Sequence, residues 1–458
     1  MISMKKRYLV DLFAGCGGLS LGLENAGFYP LLVNELADEA RETYLVNRKG
    51  LNFKHFEECP LDNAEEPWVW KDVTNLRKYL EEEFRSFAIK VRKTHGIDIN
   101  QGELDLVVGG PPCQGYSGIG HRRSYPVDKK HMLSNHMYQH MIAVIDKLRP
   151  KMFLFENVRG LLSARWYRDD KNSHKGDIWL SVREDFKQVL GSEYDMGWHL
   201  VRASEYGVSQ NRPRVFLVGI RKDLGWKIKI ETLDADYLLI QNDIHRAGGL
   251  LPEPSEKPPS LYELLNDLID KDYKNGGETY TYPKPAKSQI AKLLRVPKNG
   301  GRPLAKGQPV TDHKYSRHKD HVVKKFQYMI DTGGQIMDKD RTKKFAQRLL
   351  SREWPNGQPS ITVTSLPDDY VHFEQPRTLT VREWARLQMF PDWYQFMGKR
   401  TTGGIRRAGN PIANIFEREV PKYTQIGNAV PVRLAEAIGN HFMALLDECD
   451  EKTPSNKN

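Results

Sequence analysis

The stretch GGPPCQGYSG, residues 109–118, sets a thiol behind two prolines and among small residues. Pro111 and Pro112 fix φ just ahead of Cys113, and the glycines on either side clear its approach. A cysteine that only fills a core needs no such backbone. The pattern suits a presented thiolate, a nucleophile open to a large flat partner. Two other groups of residues have types that serve such chemistry. Glu156 and Asn157 end the apolar run 152–155. A glutamate held in a water-poor pocket has a raised pKa and donates a hydrogen bond at neutral pH, as an acid holding a ring nitrogen must. Gln210, Arg212 and Arg214, in QNRPR, precede the apolar run 215–220. Alternation along a strand would put both arginines on one face, where their forks could take a base oxygen and a neighbouring phosphate.

A second constellation points to a nucleotide-like cofactor. The apolar run 8–13 passes into Phe13-Ala14-Gly15-Cys16-Gly17-Gly18-Leu19 and then the helix-like SLGLENAG. Glycines after a first strand let backbone approach a ligand closely, and the helix start behind them offers free N–H groups. The run 31–33 ends in Asn34-Glu35, and an acidic residue at the end of a second strand is where a doubly wound fold grips ribose hydroxyls. Together they favour an adenosine-bearing cofactor. Asp72 is a candidate to face the adenine, with a surface-loop aspartate as the alternative. No GxxxxGK[ST] occurs, so nothing supports ATP hydrolysis.

These residues need a frame, and the first 220 residues supply its rhythm. Short apolar runs at 8–13, 31–33, 104–108, 152–155 and 215–220 alternate with longer stretches of helical period. That order predicts an α/β domain with a mainly parallel sheet covered on both faces. Working residues in such sheets lie just past the carboxyl ends of the strands, where the glycines, Cys113 and Glu156 all fall. From about residue 222 to 375 the rhythm gives way to Pro/Gly-punctuated, Lys-rich sequence. We read it as a smaller lobe of loops and short strands, with a β-like piece at 361–364 and little room for a long helix. Helical period returns at 380–389 and 431–446.

The bulk composition narrows the partners. The 458 residues carry 69 Lys/Arg and 59 Asp/Glu, a net charge of +10. Residues 281–350 alone hold 17 Lys/Arg against 5 Asp/Glu, an electrostatic footprint for phosphates. Nucleic acid is the leading partner on charge. No apolar run approaches the roughly 20 residues that span a bilayer, and the N-terminus lacks a secretory pattern, so a cytoplasmic protein with no membrane partner is expected. The four cysteines, Cys16, Cys59, Cys113 and Cys449, have neither zinc-site nor disulfide-framework spacing, so no metal is expected.

Taken in order, DLFAGCGGLSLGLENAGF, NELADEA, GGPPCQGYSGIG, FENVRGLL, QNRPRVFLVGIR, RTLTVREWARLQMFPDWYQF and QIGNAVPVRLAEAIG resemble the DNA (cytosine-5) methyltransferases. The resemblance implies a Rossmann-like domain that uses S-adenosyl-L-methionine, at residues 1–225. A target-recognition domain follows at 226–400, and a C-terminal segment, 401–458, returns to the first domain. It implies that Cys113 attacks C6 of a cytosine flipped out of duplex DNA, with Glu156 on N3 and the exocyclic amine and Arg214 on O2. Arg212 would orient the loop and phosphate side, and residues 115–135 would form a loop that closes over the substrate. For the cofactor it implies Phe13 against the adenine, Gly15, Gly17 and Gly18 around the methionine end, and Glu35 on the ribose. Asn428 and Ala429 would reach the amino-acid part, and Ala14, Leu19, Leu36, Asp72 and Pro111 would lie along it. The expected partner is double-stranded DNA bound by a monomer, with a cognate restriction endonuclease implied by the family. Two rivals are an RNA (tRNA) cytosine-5 methyltransferase on the same fold and a catalytically idle DNA-binding relative.

Overall fold

The computed structural model describes residues 6–48, 68–112, 135–166, 174–226, 249–341, 347–403, 406 and 419–452. Cys113, Gln114 and residues 115–134 of the expected closing loop lie outside the described residues.

The first half alternates strand and helix: β1 (Arg7–Leu12), α1 (Gly18–Asn25), β2 (Phe28–Asn34), α2 (Asp38–Val46), β3 (Trp68–Trp70), α3 (Val73–Glu82) and α4 (Phe84–His95). Then come β4 (Leu106–Gly109), α5 (Met137–Leu148), β5 (Met152–Val158), α6 (Asp177–Leu190), β6 (Tyr194–Arg202) and β7 (Pro213–Arg221). The strands form one sheet in the order β3-β2-β1-β4-β5-β7-β6. The pairs from β3 through β5 are parallel, while β7 runs antiparallel to both β5 and β6. The mainly parallel α/β sheet expected from the sequence is therefore present, with β7 as its reversed member.

Both faces of the sheet are buried, which is why its strands read as unbroken apolar runs. Alternate residues feed opposite layers. Leu9, Leu106, Val108 and Leu154 join one apolar cluster with α1, while Val10, Val107, Phe153 and Phe155 join the other with α3, α4, α5 and α6.

The second half contains α7 (Leu261–Leu265), α8 (Gln289–Leu294), α9 (Asp320–Asp331), β8 (Arg348–Leu349), β9 (Tyr370–Val371) and α10 (Val381–Leu387), then α11 (Lys422–Asn428) and α12 (Val432–Lys452). The lobe departs from its sequence reading in two ways. α9 is a regular twelve-residue helix between the breakers, held by Phe326 and Met329 against Val371. Residues 361–364 form no strand; they run past the QNRPR segment, where Asn211 N donates to Ile361 O at 2.8 Å. The lobe's core also runs on into the sheet: Leu261, Ile361 and Trp384 belong to the same cluster as Leu9 and Leu154.

α12 lies against α1. A methyl group on Gly22 would collide with the Val432 carbonyl and Ala435, and one on Gly439 with Ala26 and Leu23, so the two backbones touch where side chains are missing. Arg7 of β1 adds a buried bond to Asp105 at 3.2 Å and an ion pair to Asp447 of α12 at 2.6 Å. Among the described residues no helix is long and apolar enough to cross a membrane.

Candidate active site

Three strand ends converge at one edge of the sheet. β4 ends at Gly109 beside Phe155, so residues 110–112 leave the sheet next to the last turn of β5. A Cβ on Gly110 would stand 2.9 Å from Glu156 Oε2, so a side chain there would press on the end of that glutamate. Asn157 Nδ2 donates to Pro111 O at 3.3 Å, tying the Pro-Pro segment to β5. Pro111 is buried and Pro112 half-buried, immediately ahead of Cys113.

Because β7 is antiparallel, its beginning, not its end, reaches this edge. The ladder sets Val158 opposite Arg214 and Glu156 opposite Phe216. Arg214 and Glu156 therefore share a face and meet diagonally, with Nε 2.6 Å from Oε1. Burial pushes the Glu156 carboxyl above its ordinary value, partly offset by Arg214 and Arg212. A raised pKa is what the sequence reading asked of this glutamate.

Arg212 stands one residue ahead of β7 and is not on the strand face. Its Nη1 donates to Val363 O and its Nη2 to Gly427 O, both at 2.7 Å. This geometry makes it a tie between residues 361–364 and α11. Gln210 joins the same knot. Its Nε2 donates to Gln388 Oε1 at 2.7 Å and Leu387 O at 2.9 Å, while Gln388 Nε2 donates to Ile426 O at 2.7 Å. Sequence inspection missed Gln388 because an amide at the end of a helix carries no signal of such a partner.

The cofactor candidates line the neighbouring edge, past β1 and β2. Phe13 holds φ +58°, unusual for a residue with a side chain, and its N–H donates to Asn34 Oδ1 at 3.3 Å. Glu35 accepts from Gly15 N and Ala37 N, each at 2.8 Å, and its carboxyl is pushed up by burial. Ala14 and Gly15 are half-buried and Leu19 is buried. Leu36 is 63 % exposed beside Glu35, an apolar surface with no described cover. Gly18 serves packing: a methyl group there would strike the Val430 carbonyl, so the loop is pressed onto the segment holding exposed Asn428 and half-buried Ala429.

These features fit an adenosylated ligand: open space beside Gly15, an acceptor carboxylate at the end of β2 and an exposed apolar side chain next to it. Asp72 lies just past β3, on the same edge, but its Oδ1 caps α3, accepting from Thr74 N and Thr74 Oγ1 at 2.7 Å.

The geometry can be set beside known proteins. The chain is 27% identical over 448 residues to the Type II methyltransferase M.DdeI of Desulfomicrobium norvegicum, covering 95% of this chain and 88% of that one. It is 29% identical over 445 residues to the Type II methyltransferase M.PspPI of a Psychrobacter species, covering 96% and 79%. A crystal structure of a putative DNA modification methyltransferase encoded within an E. coli prophage has the same fold, with TM-score 0.59, 23% identity and coverage of 96% of this chain and 100% of that one. The family model for C-5 cytosine-specific DNA methylases matches residues 8–444, and the chain belongs to that family.

Proposed function

We propose that the protein methylates C5 of a cytosine flipped out of duplex DNA, as a modification enzyme of restriction-modification type that works as a monomer. The observation that carries this reading is the buried Glu156–Arg214 pair, at 2.6 Å, beside the Gly110–Pro112 exit that delivers Cys113. In the duplex the target atoms are stacked and out of reach, so the base must enter the pocket between these segments.

Cys113 Sγ, as thiolate, adds to C6 of the ring. Glu156, its pKa raised by burial, holds N3 and the exocyclic amine, and its proton on N3 offsets the charge that addition puts into the ring. Arg214, held by Glu156, faces O2. Electron density then returns through C5. When bound, S-adenosyl-L-methionine would be held by residues 13–18, Glu35 and Leu36 and would supply an electrophilic methyl group to C5, leaving as S-adenosyl-L-homocysteine. Loss of the C5 proton to solvent re-forms the C5–C6 double bond and expels Sγ.

Substrate recognition falls to the lobe at 226–400, whose exposed cations include Arg317, Lys319 and Lys324. Phosphate contacts release counterions, so DNA affinity should fall steeply with salt. The family relationship also supports a cognate restriction endonuclease as a functional partner and a cytoplasmic location.

The test is transfer of labelled methyl groups from S-adenosyl-L-methionine to unmethylated duplex DNA beside total transfer RNA, with base-resolution mapping. Label at C5 of cytosine in one short DNA motif is the expected result. Label in RNA alone moves the function to the RNA rival, and label in neither to the idle DNA-binding relative.

A further inference from the structure

The glycine turn after β1 rests on side chains from distant parts of the chain. Tyr394, in the segment after α10, donates through Oη to Cys16 O at 2.5 Å. Arg48, just past α2, donates from Nη2 to Gly17 O at 3.4 Å and from Nη1 to Tyr394 Oη at 3.1 Å. Its charge is met by Glu24 of α1, which accepts from Nε at 2.8 Å, and its guanidinium lies 3.6 Å from the Tyr44 ring centroid. The groups on the turn are removed from water: Tyr44 and Tyr394 are fully buried, and the Arg48 side chain is 8% exposed.

Gly17 shows independently how closely these groups converge. It holds φ +83° as the residue capping α1. A Cβ there would come within 2.7 Å of Tyr44, 2.9 Å of Arg48 and 3.0 Å of Tyr394, so the turn sits in a notch made by these three side chains. The segment bearing Tyr394 is itself fastened along α2. Gln395 N donates to Asn47 Oδ1 at 2.9 Å, Asn47 Nδ2 to Gln395 O at 2.8 Å, and Met397 N to Thr43 Oγ1 at 2.8 Å.

We propose that Tyr394 and Arg48 are positioning residues for the cofactor turn: by binding the carbonyls of Cys16 and Gly17 from behind, they hold residues 14–18 in the shape that receives the ligand. A carbonyl fixed from one side fixes the peptide plane, and with it the N–H of the next residue. Here that sets the Gly17 N–H, which donates to Ala14 O at 2.9 Å and so closes the turn, and the Gly18 N–H at the start of α1. Neither residue touches the ligand. Their effect is to prepay the ordering of a glycine-rich turn that binding would otherwise have to impose. The proposal rests on reading residues 13–18 as the S-adenosyl-L-methionine site.

The experiment compares the full-length protein with Tyr394→Phe, Arg48→Lys, Glu35→Ala and Tyr282→Phe. Tyr282 is a control, since its buried hydroxyl donates to Asp392 at 2.7 Å and not to a carbonyl of the turn. Two readouts are taken: calorimetric affinity for S-adenosylhomocysteine, and amide hydrogen exchange of residues 14–19 in the free protein. Tyr394→Phe strands a buried carbonyl, and we expect affinity to weaken by about fivefold to tenfold with faster exchange, while Tyr282→Phe changes neither. Arg48→Lys keeps a charge for Glu24 but loses the fork, so it should act in the same direction. It carries the test if Tyr394→Phe does not fold. In turnover the change should appear in KM for the cofactor, with kcat at saturation retained. Wild-type affinity and exchange in both variants would overturn the proposal. Equal ligand affinity in wild type and Glu35→Ala would instead overturn the cofactor-site reading, and the exchange data would then decide the clamp alone.

Discussion

Arg214 Nε lies 2.6 Å from Glu156 Oε1 across the antiparallel ladder of β7 and β5, and both side chains are almost wholly shielded from water. In such a pair each partner's burial cost is tolerable only because of the other. Arg214→Met should cost about 3 kcal/mol at pH 8, because it leaves a carboxylate buried without its cation. The pH dependence has a definite sign. Glu156 is raised in the folded protein above its ordinary 4.5, and loss of Arg214 raises it further. The charged form then bears the cost, so the penalty grows as pH rises through the folded pKa and vanishes below the unfolded one. Urea unfolding at pH 5 and pH 8 checks this; a penalty equal at both would show that the carboxylate's charge is not what Arg214 balances.

Cys113→Ser should abolish methyl transfer while duplex DNA is still bound. A hydroxyl keeps the branching of the side chain, but its far higher pKa removes the thiolate. Methyl-transfer assays run beside DNA-binding titrations decide it. Detectable C5 methylation by the serine variant would count against covalent addition through this residue.

The junction of lobe and sheet should make the protein acid-sensitive. Glu383 of α10 is fully buried; burial raises its carboxyl, but two bonds from Arg377, each 2.7 Å, outweigh that and hold it well below the ordinary range. Beside it, burial lowers His372 to about 3 and His313 to about 4. The folded state keeps both rings neutral, whereas the unfolded chain protonates them below about pH 6.5. Their contribution is therefore complete above pH 6.5 and is lost as pH falls, by about 2 kcal/mol per ring at pH 5. Glu383 adds in the same direction below its ordinary 4.5. Thermal melts from pH 7.5 to 5 should show Tm falling, and less steeply in His372→Asn; a flat Tm would refute the assignment.

The α1–α12 contact should tolerate no added methyl. Gly18→Ala drives a Cβ into the Val430 carbonyl just ahead of α12, and Gly22→Ala into the Val432 carbonyl at its start, so α1 must move off that backbone. We expect each to destabilise by about 2–3 kcal/mol and to weaken S-adenosylhomocysteine binding with it. Gly403→Ala, with nothing within 4 Å of the new atom, should be near neutral by the same chemical denaturation.

The candidate site residues stand out in the sequence because their signals are local. Two prolines before a cysteine, glycines between a strand and a helix, and Glu35 and Glu156 at the ends of apolar runs are properties of consecutive residues, and the sheet's rhythm places them at strand ends. Residue type also anticipated that burial would raise Glu156. The lobe was less legible: α9 hides among glycines, prolines and lysines, and few apolar residues, Phe326 and Met329 with Val322, hold it to Val371.

What only the tertiary structure decided is which residues meet. The reversal of β7 brings Arg214 to Glu156, and nothing in the periodicity of residues 213–221 says which way that strand runs. Arg212 ties Val363 to Gly427, and Tyr394 reaches Cys16 across 378 positions of sequence. Periodicity reports which face of an element is apolar. It is silent on the partner of a buried polar group, since a hydroxyl or guanidinium is satisfied by whichever carbonyl the fold brings within about 3 Å.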